Sequence, residues 1–258
     1  MSPAERASSR GAAAHSAMRR LPALAFALAA LAAAVALASG LGHRFGLWGF
    51  AFGFALLRAA AWTGLLGALA SAVGAVWAVR ARSLGALLAT LLGLGLGAAA
   101  FGVPWATISQ ARGAPPIHDI TTDTVHPPRF VALAEVRRAS PNGLAYGGPA
   151  VARLQHRAYP DIVPLAVGLH PEDAFQRCLD AARGLGWKIV SADPAALRIE
   201  ATDTTPFFGF KDDIVIRITP LGKASRVDVR SASREGRGDL GTNARRIRAF
   251  MREMARRG

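Results

Sequence analysis

Hydrophobic residues are arranged in two ways along this chain, and the change occurs near residue 103. Before it, residues 21–41, 59–79 and 84–103 form three apolar runs without a charged residue. A helix rises about 1.5 Å per residue, so each run can cross a hydrocarbon core of ~30 Å. The pattern predicts an N-terminal α-helical membrane bundle with three transmembrane helices, within a membrane region of residues 21–103.

Two features of this half leave alternatives open. Ala36-Leu37-Ala38 is typical of a small-residue cleavage site. Residues 1–38 are therefore either a cleaved signal peptide or, as the length of the apolar run favours, a retained first helix. Residues 45–57, which include Trp48, either lie in the membrane interface or extend the second span. Residues 1–20, small and polar with four Arg, are expected to form a disordered basic tail on the cytoplasmic side.

Small residues recur at helical spacing in the second and third runs. Gly67, Ser71 and Ala75 are four residues apart, as are Gly93 and Gly97. Such residues let helix backbones approach closely, which predicts tight packing of the helices within one chain. No acidic residue lies in any of the three runs, so the sequence offers no obvious carrier for a proton or ion pathway.

Beyond residue 103 the apolar positions become short and periodic. Residues 104–160 are punctuated by Pro and Gly, and are predicted to be an extended connecting segment. It leads to a soluble domain of residues 161–258. In that domain Pro171 begins a helix with one apolar stripe, and a second helix begins near residues 239–242.

Five runs in the soluble domain are strand-like. In the fourth, Ile214, Ile216 and Ile218 alternate with residues such as Arg217, and a period of two places the two sets on opposite faces. The runs are residues 162–167, 187–191, 197–203, 213–219 and 226–233. The predicted fold is thus a C-terminal α+β domain with an antiparallel four- to five-stranded sheet, packed by two helices, with one apolar and one charged face.

Composition and charge place the two halves in different solvents. The chain of 258 residues is 52% hydrophobic and has a formal net charge of +14. Arg residues precede the first apolar run and lie between the second and third, which puts the N-terminus inside. After three crossings the C-terminal domain is predicted on the periplasmic side of the inner (cytoplasmic) membrane. That location excludes nucleic acid as a partner of the Arg-rich last helix and favours membrane lipids.

The sequence gives little support for a metal site, a disulfide or a reactive cysteine. The single cysteine, Cys178, excludes a disulfide framework and a Cys-based metal cluster, and its place on an apolar stripe predicts a buried hydrophobe. His118, Asp119, Asp123 and His126 are conceivable metal ligands. Asx and Ser/Thr turns explain the same residues, so no metal or other cofactor is predicted.

The densest set of specific residue choices lies between residues 212 and 246. Guanidinium groups and a helix N-terminus both favour anions, so this region is predicted to bind an anionic small ligand or a lipid head group. The candidate ligand-binding residues are Arg217, Arg230, Ser231, Ser233, Arg234, Asp239, Asn243 and Arg246. In the structural alternative, Asp239 and Asn243 cap the last helix. Arg230 then pairs across the sheet with Glu200 or Asp228.

Two other classes of function compete with binding. In a membrane-anchored hydrolase, Ser231 or Ser233 would be the nucleophile, helped by one of Asp212, Asp213 and Asp239. Such chemistry needs a base beside the serine, and all six His lie at or before residue 170. We therefore predict a non-catalytic domain and name no catalytic residue. An interaction module for an envelope protein partner is the third class.

Several short runs in this domain resemble the domain of unknown function 1499 (DUF1499) family. The similarity covers about residues 104–258, and Glu235 departs from it where the family usually has Val. The runs are Ile199-Glu200-Ala201, Gly209-Phe210 with Asp212-Asp213, Ile216-Arg217, Val229 to Arg234, Asp239-Leu240-Gly241 with Asn243, and Arg246-Ile247. The resemblance implies membership of a membrane-anchored branch but no reaction, ligand or cofactor.

Overall fold

The chain divides into two compact units in the computed structural model. The structure describes the backbone of residues 3–256 and the side chains of residues 20–109 and 111–256. The first unit comprises residues 1–110 with 207–209, and the second comprises residues 111–206 and 210–258.

The first unit is built from three long helices, α1 (Pro3–Arg44), α2 (Phe50–Arg80) and α3 (Leu84–Gln110). Each contains a stretch long and apolar enough to cross a membrane, at Arg20–Arg44, Phe50–Arg80 and Leu84–Ser109. The predicted N-terminal bundle is therefore present.

The helix ends differ from the expected spans. Residues 50–57 are helical and continuous with α2. Of residues 1–20, expected to be a disordered tail, the first two lie outside the described backbone. From residue 3 onward the backbone belongs to α1, as their Ala, Glu and Arg content favours.

Small residues hold the three helices together. A Cβ on Gly67 would lie 3.0 Å from Ala29, and one on Gly97 would lie 2.4 Å from the carbonyl oxygen of Gly64. In α2, the buried stripe continues from Ser71 to residues 74 and 78, whereas residue 75 is half-buried. A helix has 3.6 residues per turn, so a constant step of four, as predicted from the sequence, drifts off the packed face.

The second unit contains a six-stranded antiparallel sheet and four helices. The central strands β5 (Lys211–Leu221) and β6 (Ala224–Ser233) form a hairpin, and β4 (Arg198–Thr204) and then β3 (Lys188–Asp193) follow on one side. On the other side, β1 (Asp119–Thr121) and β2 (Leu165–Val167) both pair with β6. The four helices are α4 (Ala134–Arg138), α5 (Gly148–Ala158), α6 (Pro171–Gly184) and α7 (Thr242–Arg256).

Helices α6 and α7 cover the apolar face of the sheet. Ile199, Ile214 and Ile216 from the strands are buried against Phe250 and Cys178 from the helices. Burial raises the pKa of the Cys178 thiol to about 12, because an apolar environment disfavours the thiolate. The apolar stripes predicted for both helices thus form one core.

The charged face is covered as well, by residues 122–147, which we call the cover segment. Phe130 and Leu133 of this segment pack on Val215 and Ala232 of the sheet. Residues 104–160 were expected to be an extended connector. They instead supply the end of α3, β1, the cover segment with α4, and α5. The cover segment lies on the charged face of the sheet because that face needs partners that solvent would otherwise provide.

The backbone groups of Thr121 on the outer edge of β1 form hydrogen bonds with a side chain. Thr121 donates its N–H to Oε1 of Gln155 (3.0 Å), and Nε2 of Gln155 donates to the Thr121 carbonyl (2.7 Å). The Gln155 amide thus replaces a neighbouring strand and closes this edge.

Candidate functional site

The predicted ligand-binding residues lie on both faces of the sheet. Arg217, Arg230 and Arg234 project towards the cover segment, whereas Ser231 and Ser233 project towards α7. Neighbouring residues of a strand point to opposite faces, so Arg230 and Ser231 cannot contribute to one small site.

On the helix face, a buried polar cluster joins β6 to α7. Ser231 Oγ donates to Oδ1 of Asn243 (2.6 Å), and Nδ2 of Asn243 donates to Ser233 Oγ (3.0 Å) and to the His118 carbonyl (3.0 Å). Arg246 donates to the same Asn243 oxygen (2.7 Å). The hydroxyls are therefore engaged with one another and with an amide.

Carboxylates complete the helix-face cluster. Arg246 donates to Oδ2 of Asp212 (2.7 Å) and, through Nε, to Oδ2 of Asp203 (2.9 Å). Such charge-assisted pairs are the strongest hydrogen bonds in proteins. The buried arrangement cross-links β4, β5, β6 and α7.

Asp239 caps helix α7. Its carboxylate accepts the N–H of Gly241 (2.8 Å) and the N–H of Asn243 (2.7 Å). Burial raises the pKa of Asp239, against the lowering effect of these two hydrogen bonds. Asp239 therefore caps the helix, as the structural alternative predicted. The Asn243 side chain does not cap the helix and lies in the buried cluster instead.

On the other face, each buried cation has a carboxylate partner. Arg230 forms a bidentate pair with Asp119 (3.0 and 2.7 Å), not with Glu200 or Asp228. Asp213 is fully buried between Arg137 (3.1 Å) and Arg234 (2.8 Å). Burial lowers the pKa of Arg137, while Asp213 acts in the opposite direction.

Glu200 and Asp228 anchor the cover segment instead. Glu200 accepts three consecutive backbone N–H groups, from Val131, Ala132 and Leu133, at 2.8–3.0 Å. Asp228 accepts the hydroxyl of Thr122 (3.3 Å) on the same face. A carboxylate that accepts several backbone donors is well stabilised in its charged form.

The two acidic residues proposed as metal ligands are used elsewhere. Asp119 pairs with Arg230, and Asp123 accepts the N–H groups of Val125 (3.1 Å) and His126 (2.8 Å), as expected of an Asx turn. Burial alone would raise the pKa of Asp123, but these hydrogen bonds lower it. Within the described residues, no group of His, Cys, Asp and Glu could hold a metal ion.

A cleft opens between the cover segment and the strands. Its volume is about 420 Å³. It is lined by Val125, His126, Pro127, Arg129, Ala196, Arg198, Val215 and Arg217. The lining therefore combines three guanidinium groups and an imidazole with small apolar side chains.

Carboxylates hold two of these guanidinium groups. Arg217 donates to Oδ2 of Asp123 (3.1 Å) and of Asp228 (2.9 Å). Arg198 lies 3.3 Å from Oε1 of Glu200. Arg129 is exposed and forms no hydrogen bond or ion pair with the part of the chain that the structure describes.

A smaller hollow adjoins the cleft across Pro127 and Arg129. Its volume is about 290 Å³, and Phe130, Tyr146 and Arg230 contribute to its lining. The Arg230 guanidinium lies 5.0 Å from the centre of the Phe130 ring, a cation–π arrangement. Burial raises the pKa of Tyr146 to about 12, which keeps its hydroxyl protonated.

Sequence reasoning included Arg217 among the candidates but missed Arg129 and Arg198. Their signal was weak: Arg129 follows two prolines in a stretch interpreted as a connector, and Arg198 begins a strand beside its acidic partner. Their common cleft arises only when the cover segment folds back on the sheet.

Comparison with models of protein families gives a match. A family model described as "Protein of unknown function (DUF1499)" matches residues 119–254, which include all six strands, α4 to α6 and most of α7. No curated protein matches the chain significantly.

Proposed function

Because this chain belongs to the DUF1499 family, whose description assigns no activity, we propose a function from the geometry of its cleft. The protein is a membrane-anchored binding protein, and its C-terminal domain binds a small anionic ligand between the cover segment and strands β4 and β5. The observation that carries the proposal is the lining of the cleft by Arg129, Arg198 and Arg217 without any carboxylate.

The charge pattern of the lining suits a carboxylate or a phosphate group. Guanidinium groups present planar donors that match both anions, and Asp123, Asp228 and Glu200 orient two of them before any ligand arrives. A preoriented donor loses less freedom on binding. Arg129 adds a cation that no carboxylate of the described chain neutralises.

The size of the cleft limits the ligand to a small molecule. About 420 Å³ lies at the lower end of the range typical for small-molecule sites. Val125, Pro127 and Val215 offer apolar contacts beside the cations. Binding is favoured over catalysis because the candidate nucleophiles Ser231 and Ser233 lie on the opposite face, buried in their own hydrogen bonds.

The membrane placement is part of the same proposal. Each of the three helices is long and apolar enough to cross a bilayer. The Arg residues before the apolar run of α1, and those between α2 and α3, favour an N-terminus on the cytoplasmic side. The C-terminal domain then lies on the outer side of the inner membrane. A reporter enzyme that is active only outside the cytoplasm, fused after residue 258, should be active. Cytosolic location of the fusion would contradict this orientation.

Anion titrations of the full chain in detergent test the cleft. Inorganic phosphate and succinate serve as probes, with calorimetry or chemical shifts as the readout. Arg129→Gln should weaken binding about tenfold, equivalent to ~1.4 kcal/mol, and binding should weaken with added salt. Arg153→Gln is the matched control, because Arg153 is also an exposed cation and lies on α5, outside the cleft. No saturable binding of either probe, or equal losses in both variants, would overturn the proposal.

A further inference from the structure

One cation lies at the boundary of the apolar run of α2. Residues 59–79 carry no charge and are bounded by Arg58 and Arg80. At about 1.5 Å per residue, this run measures ~31 Å, close to the thickness of a hydrocarbon core. The two Arg residues therefore bound a run that matches one crossing, and Arg58 lies about two turns after the start of α2 at Phe50.

Arg58 is available to a ligand outside the chain. It is exposed, and it forms no hydrogen bond or ion pair with the residues that the structure describes. A charged side chain beside an apolar run in a bilayer extends to the interface, where it meets lipid phosphates. An unpaired guanidinium at this depth thus needs a counter-ion from its surroundings.

Aromatic rings flank this position on both helices. Trp62, one turn from Arg58, is 58% exposed and its ring centre lies 5.7 Å from that of Phe101 on α3. The Phe101 ring stacks in turn on Trp105 (5.9 Å), which is 52% exposed. The three rings are in contact, and Arg58 lies one turn from Trp62 on the same helix. We call these four residues, Arg58, Trp62, Phe101 and Trp105, the α2–α3 patch.

The register of the two helices places the charge beside the rings. Gly64 packs on Gly97 and Ala100, and Gly74 packs on Thr90, so α2 and α3 run antiparallel. One turn from Trp62 back to Arg58 therefore corresponds to one turn from Phe101 forward to Trp105. Arg58 and Trp105 consequently lie at the same level on neighbouring helices.

We propose that the α2–α3 patch binds one membrane phospholipid, with its phosphate on Arg58 and an acyl chain along Trp62 and Phe101. A guanidinium binds phosphate through two parallel hydrogen bonds, and indole rings favour the level of the lipid head groups. A free phosphate would leave the apolar rings uncovered, so the lipid is the better match. The inference rests on the membrane placement proposed above, and not on the cleft.

Native mass spectrometry of the full chain in mild detergent, with phosphatidylglycerol added, tests the patch. The fraction of protein with a retained lipid should fall at least fivefold in Arg58→Gln. Arg58→Lys, which keeps the charge but not the paired donors, should lose less than Arg58→Gln, and Trp62→Leu should lower the fraction about twofold. Arg80→Gln is the control, because Arg80 bounds the same apolar run at its other end; it should change retention less than twofold. Inorganic phosphate at equal concentration should not displace the lipid.

Each contrary result has a separate meaning. Equal retention by Arg58→Gln and the unaltered chain, or equal losses in Arg58→Gln and Arg80→Gln, would overturn the patch. Displacement by inorganic phosphate would show an anion site without a lipid. If Arg58→Gln fails to fold, normal retention by Trp62→Leu would overturn the proposal. Recovery of the unaltered chain in the soluble fraction without detergent would overturn the membrane placement itself.

Discussion

The two faces of the C-terminal sheet are both buried, but by different means. Against α6 and α7, the central contacts are between apolar side chains such as Ile216 and Phe250. Under the cover segment, they are paired charges, with Asp213 between Arg137 and Arg234. Apolar burial is roughly proportional to the area removed from water, whereas a buried charge depends on each partner. The apolar positions of the helix face should therefore tolerate small changes, and the charged pairs of the covered face should not.

The largest expected effect is at Asp213. Asp213→Ala leaves Arg137, whose side chain is 1% exposed, without its counter-ion. Loss of one partner of a buried pair costs about 3–5 kcal/mol of unfolding free energy. The measurement is urea unfolding of the full chain in detergent, with the alkylation of Cys178 as the readout. Cys178 is the single cysteine, and it is buried in the folded chain.

A double variant separates lost charge from lost packing. Adding Arg137→Met to Asp213→Ala removes the stranded cation, so part of the lost stability should return. If the double variant is no more stable than Asp213→Ala, the stranded charge is not the cause. The contrast between the two faces would then fail on its charged side.

Cys178 tests how tightly the helix face is sealed. Its pKa of about 12, against ~8.5 for a free thiol, reduces the thiolate fraction at pH 8 by about a thousandfold. Alkylation of the native chain should be correspondingly slow and should accelerate about tenfold per pH unit between pH 8 and 10. Urea-unfolded chain is the control and should react as a free thiol does. Fast labelling of the native chain would show that this face opens.

A small apolar truncation should give a graded loss. Ile216→Val removes one methylene from a fully buried site on the helix face. The expected cost is about 0.5–1.5 kcal/mol, measured by the same Cys178 protection in urea. A cost equal to that of Asp213→Ala would remove the distinction between the two faces.

The smallest expected effect is at an exposed ion pair. Arg248 holds Asp161 at 2.6 Å, and this hydrogen bond lowers the pKa of the carboxyl. Both groups are about a third or more exposed, so Asp161→Asn should cost at most ~1 kcal/mol, less in high salt. A lowered carboxyl pKa stabilises the fold above the unfolded value, and that contribution is lost as the pH falls through the folded value. The variant and the unaltered chain should thus converge in acid; a constant difference would contradict the ion-pair origin.

Much of the fold could be predicted from the sequence. The apolar runs predicted three long helices, and the alternation in residues 213–219 and 226–233 predicted the central hairpin and its two unlike faces. The same alternation could have separated Arg230 from Ser231, because neighbours in a strand point to opposite sides. Grouping them in one site was therefore avoidable without the structure.

Two of the missed elements, β1 and α4, share a feature. β1 has three residues, α4 has five, and both lie in a stretch rich in Pro and Gly. Such short segments have too few periods for a local pattern to show, and they form because the sheet supplies their partners. Asp119–Thr121 becomes a strand through its pairing with residues 230–232.

The sequence by itself determined where apolar and charged positions fall, because helical and strand periods act over a few residues. Only the tertiary structure decided which charges meet: Arg230 with Asp119, Arg137 with Asp213, and Arg129 with Arg198 and Arg217 around one cleft. Those partners are far apart in the chain. Any of several carboxylates could have satisfied each guanidinium until chain folding brought one within hydrogen-bonding distance.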